Sequence, residues 1–164
     1  MKNRSIVAVV LALLLPVAAT AASVTRILDG DTLEIREATG LIRVRLADID
    51  APEKSQPFGQ RAKQKLTELV SNATDVEIKS TGTDRYGRTL ANVLVKKCQP
   101  QCMVYFINEE MVKNGMAWAY RYHGKATSHD MANLESRARV EKVGLWSMPG
   151  AVEPWRYREN EKRH

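Results

Sequence analysis

Short stretches in which apolar and polar residues alternate recur along the chain, a pattern typical of half-buried β-strands. Five strands are predicted, at 24–28, 33–36, 42–46, 76–78 and 90–95, and an apolar segment at 103–107 follows the fifth. Turn signals at 29–31 and 37–40 separate the first three strands, so these strands are predicted to be contiguous.

The end of the third strand has to bend if its polar residues are to act together. Arg43 and Arg45 lie on the open face of this strand. Strict alternation would place Asp48 and Asp50 on the face opposite Arg45. A bulge or bend near Ala47 is therefore expected if Arg45 and Asp50 are to meet.

Three helices are predicted around these strands. Apolar residues recur on one stripe over 58–70, as in an amphipathic helix. Asn108 is expected to cap a short helix that ends at Gly115. Ser128 is expected to cap a third helix that stops near Gly144. The predicted fold class is α+β and mainly β, a small five-stranded barrel with three packed helices, of which an OB-type barrel is one example.

Residues 1–22 have the organisation of an export signal. Lys2 and Arg4 precede an apolar run at 6–17, and small residues at 19–22 offer cleavage sites. The run is shorter than the roughly 20 residues that span a bilayer, although an uncleaved anchor is the alternative. We therefore expect export to the periplasm or the medium, and no membrane association once the signal is removed.

The rest of the chain is predicted to form one domain over 23–148 and a polar tail over 149–164, in which Trp155 and Tyr157 are candidates for docking onto the domain. A chain of 164 residues with 44% hydrophobic and 27% charged residues fits one globular domain and excludes collagen, a coiled coil and wholesale disorder. The formal charge of +6 falls to +4 when Lys2 and Arg4 leave with the signal, which weakly indicates an anionic partner.

Export changes the interpretation of the two cysteines. Cys98 and Cys102 enclose the turn-like triplet Gln99-Pro100-Gln101. In an oxidising compartment a local disulfide is favoured, with free thiols as the alternative. A metal site is not expected there, because two ligands are too few.

Four clusters of charged and aromatic residues carry the candidate chemistry. They are Asp29-Gly30-Asp31-Thr32, the segment from Arg45 to Glu53, Asp84-Arg85-Tyr86-Gly87-Arg88, and Tyr120-Arg121-Tyr122. Carboxylates at strand ends suit a hard divalent cation such as Ca²⁺, and arginines beside it suit a phosphate. A carboxylate that is not a ligand can take a proton from water. Together these are the components of a metal-assisted phosphodiester hydrolase.

Each cluster alone has an ordinary structural explanation. The acidic turn and the 84–88 turn are common surface features, and Tyr120 and Tyr122 would by default be partly buried in the core. His123, His129 and His164 are isolated along the chain and are assigned no role. The combination is more specific than its parts.

In order and spacing, the clusters resemble the staphylococcal nuclease family. The resemblance runs from about Val24 to Trp146, and it includes Asn108-Glu109 and Gly144-Leu145-Trp146-Ser147 in addition to the motifs above. It implies an OB-fold nuclease domain over 23–148 that hydrolyses DNA and RNA with Ca²⁺ and leaves 3′-phosphate ends.

The resemblance also implies roles for individual positions. Asp31 and Asp50 correspond to the calcium carboxylates, and Ala51 to the residue whose carbonyl is a further ligand. Glu53 resembles the general base, and Arg45 and Arg88 the arginines that hold the scissile phosphate. The candidate substrate-binding residues are Arg85, Tyr86, Tyr120 and Tyr122.

Two departures from the family pattern stand out. The loop between Glu53 and Gly59 is shorter than the lysine-rich loop of the founding nuclease, which puts substrate affinity and strand preference in doubt. The turn between Cys98 and Cys102 replaces a plain hairpin turn. The competing hypotheses are a nucleic-acid-binding module without activity and an exported structural or lipid-surface protein. No stable protein partner is implied, and a monomer is expected.

Overall fold

The structure is a computed structural model in which residues 21–163 are described. Most of the predicted signal at 1–22 and His164 lie outside the described residues. Within 21–163, no helix has the length and apolar character needed to cross a bilayer.

The described residues form ten strands and four α-helices. The strands are β1 Ser23–Ile27, β2 Thr32–Glu37, β3 Gly40–Leu46, β4 Ile49–Asp50, β5 Asp75–Thr83, β6 Thr89–Cys98, β7 Cys102–Phe106, β8 Trp118–Ala119, β9 Arg121–Tyr122 and β10 Lys125–Ala126. The helices are α1 Gly59–Val70, α2 Ile107–Lys113, α3 His129–Val140 and α4 Pro154–Glu161, with a 3-10 helix at Gly144–Ser147. The predicted class, α+β and mainly β, is confirmed.

The main sheet contains the five predicted strands in the order β1-β2-β3-β6-β5, with β7 paired to β6. β1, β2 and β3 are antiparallel neighbours, as the turn signals predict. β3 and β6 run parallel to each other, and this pairing brings the end of β3 beside Ala91.

The prediction of a closed barrel is wrong, because the sheet is open. No pairing among residues 21–163 joins the two edge strands β1 and β5. A groove of about 630 Å³ lies between them, lined by β1, by one side of α1 and by residues 70–76. Helix α1 and the turn that follows it therefore line one side of this groove.

The core lies between the sheet and the first two helices. Alternate residues of β2, β3 and β6 are fully buried, which explains why their apolar residues repeat with period two: Leu33, Ile35, Val44, Leu46, Val93 and Val95. Ala62 and Leu66 of the predicted α1 stripe are buried against them. This packing fixes the positions of the strand ends, where the polar clusters lie.

Asn108 does not cap α2, contrary to the prediction. The helix begins at Ile107, with Phe106 at the N-cap position, and the Asn108 side chain is fully buried. Its amide donates to the Ala47 and Ala91 carbonyls at 2.9 and 3.1 Å, and its Oδ1 accepts from Val93 N at 3.0 Å. A buried amide that satisfies backbone groups on two strands ties the end of β3 to β6.

The other helix predictions fare differently. Ser128 caps α3 as predicted, because its Oγ accepts from Met131 N at 3.3 Å. The segment 149–164, predicted as a polar tail, contains α4, which begins at Pro154.

Cys98 and Cys102, for which a disulfide and free thiols were both open, are joined by a disulfide between β6 and β7.

Candidate active site

A bend after β3 brings Arg45 and Asp50 together, as the alternation argument requires. Asp48 adopts a left-handed backbone conformation with φ of 61°, and this reverses the chain before β4. Arg45 Nη2 then donates to Asp50 Oδ1 at 2.8 Å. The Asp48 carboxylate points elsewhere and accepts from Thr127 Oγ1 at 2.7 Å.

Asp31 meets the same arginine from the turn before β2. Its Oδ1 accepts from Arg45 Nη1 at 2.9 Å, and its Oδ2 accepts from Ala51 N at 3.0 Å. The turn can approach this closely because residue 30 is glycine. A Cβ on Gly30 would lie 2.7 Å from the Cβ atoms of both Ala51 and Ala62.

The two carboxylates are buried, and this changes their electrostatics. The Asp50 side chain is 0% exposed and that of Asp31 is 4% exposed. Burial raises the pKa of Asp31 to about 7, the charge of Arg45 opposes this rise, and the charges of Asp29 and Asp50 add to it. Burial alone would lower the pKa of Arg45, but Asp31 and Asp50 outweigh it and raise that pKa. Arg45 therefore stays protonated, and any further positive charge nearby would stabilise the ionised form of Asp31.

Glu53 lies in the short loop that follows β4. Gln56 holds the loop, because its Oε1 accepts from Glu53 N at 3.1 Å and its backbone N donates to the Glu53 carbonyl at 2.9 Å. Helix α1 begins directly against this loop. A Cβ on Gly59 would collide with the Glu53 carbonyl oxygen, so glycine is needed for this approach. The Glu53 side chain is 37% exposed and accessible to water.

Arg88 approaches the cluster from the turn between β5 and β6. Asp84 organises this turn, since its Oδ1 accepts from Arg88 N at 3.0 Å and its Oδ2 from Arg88 Nε at 2.7 Å. Burial would raise the pKa of Asp84, but these hydrogen bonds and one from Tyr86 N hold it below its usual value. Arg88 Nη1 lies 3.4 Å from Thr32 Oγ1, and that hydroxyl lies 3.0 Å from Asp31 Oδ1.

Tyr86 and Arg85 lie beside Arg88 and face solvent. The Tyr86 ring is 69% exposed, with the guanidinium groups of Arg85 and Arg88 at 4.8 and 5.5 Å from its centre. Arg85 Nη2 also donates to Tyr86 Oη at 2.8 Å. Tyr86 and Arg88 line a shallow groove of about 270 Å³ with β2 and β3 residues.

Tyr120 and Tyr122 are less closely connected to the acidic cluster. Tyr120 N donates to the Asp48 carbonyl at 2.8 Å, which joins it to the bend through the backbone. The Tyr122 ring is exposed and packs against His123. Among the described residues, no side-chain hydrogen bond links either ring to the acidic cluster.

Sequence analysis missed one arginine that the structure brings into this cluster. Arg158, on α4, donates from Nη2 to Asp50 Oδ2 at 2.7 Å and from Nη1 to Glu53 Oε1 at 2.6 Å. Burial would lower the pKa of Arg158, but Asp50 and Glu53 outweigh it and raise that pKa. The sequence offered one indirect signal, the aromatic pair Trp155 and Tyr157 in an otherwise polar segment.

The donor atoms at this site are chemically suited to a hard cation. The carboxylates of Asp31 and Asp50 and the buried Ala51 supply oxygen only, as Ca²⁺ prefers. Over residues 21–163, no three acidic, histidine or cysteine side chains surround a common metal position, since arginines bridge the acids instead. The ligands are therefore of the right type, and their closest partners are guanidinium groups.

Three carboxylates and three arginines from separate segments of the chain thus lie at one end of a mainly β domain, as expected of an enzyme that hydrolyses phosphodiesters. Comparison with known proteins agrees with this class. Residues 43–148 match the family model described as staphylococcal nuclease homologue.

Curated relatives extend the match over most of the chain. A micrococcal nuclease of Shigella flexneri is 49% identical over 141 residues, covering 85% of this chain and 80% of its own. A protein named "Uncharacterized endonuclease" from Haemophilus influenzae is 44% identical over 142 residues, covering 85% and 73%. Another of that name from Escherichia coli is 38% identical over 135 residues, covering 82% of each. The chain belongs to the staphylococcal nuclease family and is a hydrolytic endonuclease.

Proposed function

We propose that this chain is a calcium-dependent nuclease that cleaves DNA and RNA with little sequence preference and leaves 3′-phosphate ends. The observation that carries the proposal is the position of Arg45. Its guanidinium donates to both Asp31 and Asp50, and so a phosphate-binding group lies directly beside two oxygen ligands suited to a divalent cation.

A phosphodiester resists hydrolysis because its negative charge repels nucleophiles and its leaving group is a poor one. Asp31, Asp50 and the Ala51 carbonyl would hold the calcium ion, which when bound neutralises charge on a phosphate oxygen. The remaining work falls to the arginines and to Glu53.

Arg45 and Arg88 bind the other phosphate oxygens and stabilise the charge that builds up in the transition state. In Arg45, Nη1 donates to Asp31, and Nη2 donates to Asp50 and, at 3.4 Å, to the Ile49 carbonyl. The second N–H of Nη1 is therefore the one that can reach a phosphate. Asp84 holds Arg88 through both Nε and Nη2, so that Nη1 is the nitrogen oriented toward the Thr32 side of the cluster.

Glu53 is the general base. Its carboxylate is the most exposed of the three in the cluster, and therefore a water molecule can approach it. A base in this position takes a proton from the attacking water and typically contributes about 10²–10⁴-fold in rate.

Substrate recognition depends on charge and stacking. The exposed ring of Tyr86 offers a surface on which any base can stack, and Arg85 and Arg88 beside it contact the backbone. We expect single strands to be preferred, and binding to weaken with salt as counterions are released. We also propose that the chain is exported and acts as a monomer.

The test is a cleavage assay on single-stranded DNA and on RNA, with Ca²⁺ or with a chelator, followed by end-group analysis. The proposal expects calcium-dependent degradation of both polymers to fragments with 3′-phosphate ends. Retention of DNA without cleavage would favour a binding module. Products with 3′-hydroxyl ends, or equal cleavage in the chelator, would contradict the proposed chemistry.

A further inference from the structure

The C-terminal segment lies directly over the loop that carries Glu53. Gln56 Nε2 donates to the Val152 carbonyl at 2.6 Å, and Tyr157 Oη lies 3.2 Å from Ser55 Oγ. Pro154, the first residue of α4, is buried. These contacts hold one face of α4 above the acidic cluster.

Arg158 projects from this face onto the catalytic carboxylates. Its Nη1 and Nη2 contact both oxygens of Asp50, at 3.2 and 2.7 Å, and Nη1 also contacts Glu53 at 2.6 Å. Arg156, on the same helix, pairs only with Glu153 and is 67% exposed. The contact with the acids is therefore specific to one arginine and not general to a basic helix.

The contacts of Arg158 coincide with functions that the proposed reaction requires. In the proposed reaction the Asp50 carboxylate holds a cation, and the Glu53 carboxylate accepts a proton from water. A guanidinium that occupies both oxygens of Asp50 and one of Glu53 competes with each function.

The charge balance points the same way. Arg45 bridges Asp31 and Asp50, and Arg158 bridges Asp50 and Glu53. Withdrawal of Arg158 removes one positive charge from the carboxylates and so favours a cation in its place. Arg158 is 39% exposed. The contacts that hold α4 are those of Gln56 and Tyr157, the packing of Pro154 and the Arg121 guanidinium 5.6 Å from the Trp155 ring, and none of these residues belongs to the hydrophobic core, so withdrawal does not require the core to open.

We propose that Arg158 is an internal competitor of the divalent cation, and that α4 has to move away from the acidic cluster for the metal and the phosphate to bind. This inference rests on the proposed function, because it assigns a form of self-inhibition to that same site. The C-terminal helix thereby makes metal binding and helix docking mutually exclusive.

The direct test is calorimetric titration of the full chain with Ca²⁺, in the parent, in Arg158→Gln and in the matched control Arg156→Gln. Loss of charge-assisted hydrogen bonds to the acids should make Arg158→Gln bind Ca²⁺ on the order of 5- to 50-fold more tightly. Arg156→Gln should bind like the parent. Equal or weaker binding by Arg158→Gln would overturn the inference.

A second measurement needs no variant at Arg158. Hydrogen exchange of the parent, with and without Ca²⁺, should show faster exchange of the amides in 155–161 when Ca²⁺ is bound. Unchanged or slower exchange there would overturn the inference.

The failures of the two proposals look different. If the parent binds Ca²⁺ and cleaves DNA while Arg158→Gln has unchanged affinity, only the competition by Arg158 is wrong. If neither the parent nor Arg158→Gln binds Ca²⁺ or cleaves DNA, the proposed function is wrong and the inference is overturned with it.

Discussion

Arg88 Nη1 lies 3.4 Å from Thr32 Oγ1, a contact that joins two turns 56 positions apart in the sequence. Thr32 Oγ1 in turn lies 3.0 Å from Asp31 Oδ1. The Thr32 hydroxyl therefore connects Arg88, from one turn, to Asp31, from the other.

Replacing Arg88 with lysine should lower turnover about 100-fold, because an ammonium group cannot reproduce the forked donation to a phosphate or the Nε contact with Asp84. The measurement is kcat on single-stranded DNA with saturating Ca²⁺. Arg36→Lys, at an exposed position of β2, is the matched control and should leave kcat unchanged. Near-normal turnover in Arg88→Lys would remove this arginine from the mechanism.

Replacing Glu53 with glutamine should lower kcat about 10²–10⁴-fold, because an amide cannot take a proton from water. Binding of Ca²⁺ and of nucleotide should persist, since neither depends on proton transfer. Cleavage and calorimetric binding are measured on the same preparation. Parental rates in Glu53→Gln would show that the base is another group.

Affinity for Ca²⁺ should fall as the pH drops below about 7. Burial raises the pKa of Asp31 to about 7, and a raised pKa means that the carboxyl keeps its proton up to that pH. Because the metal requires the ionised form, each pH unit below 7 should weaken binding about tenfold. Titrations at pH 6 and pH 8 check this. Between pH 8 and pH 9 the affinity should be constant, and a steady decline toward pH 9 would contradict the assignment.

Replacing Asn108 with alanine should lower the free energy of unfolding by about 2–4 kcal/mol, because the Ala47 carbonyl and the Val93 amide lose their buried side-chain partner and the Ala91 carbonyl keeps only the Ala47 N–H. Urea denaturation measures this. Gln64→Ala, on the exposed side of α1, should change stability by less than about 0.5 kcal/mol. A loss in Asn108→Ala no larger than in the control would argue against the role of this amide.

Most of what the sequence predicted correctly depends on neighbouring residues. The strands follow from period-two alternation, and the Ser128 cap from residues three apart. The bend after β3 also follows from local pattern, because Arg45 and Asp50 cannot share a face without it. The three acidic and basic turns could be identified because each motif is contiguous along the chain.

The features that were missed depend on contacts between distant segments. Asn108 looks like a helix cap in its own segment, and its actual partners lie 15 to 61 residues away. The edge strands β1 and β5 do not pair with each other, a relationship between segments far apart in the sequence that no local pattern records. Arg158 reaches Asp50 across 108 positions, and a short polar segment gives no indication of where its side chains will bind.

The close approach of Gly30 to Ala51 and Ala62 has a consequence for redesign of this enzyme. Three small residues, one from each of three segments, leave no free volume between the turn before β2, the chain after β4 and α1. Enlarging any one of them would alter ligand spacing by steric displacement without touching a charged group. The distance between Asp31 and the chain after β4 at this junction is therefore governed by side-chain volume.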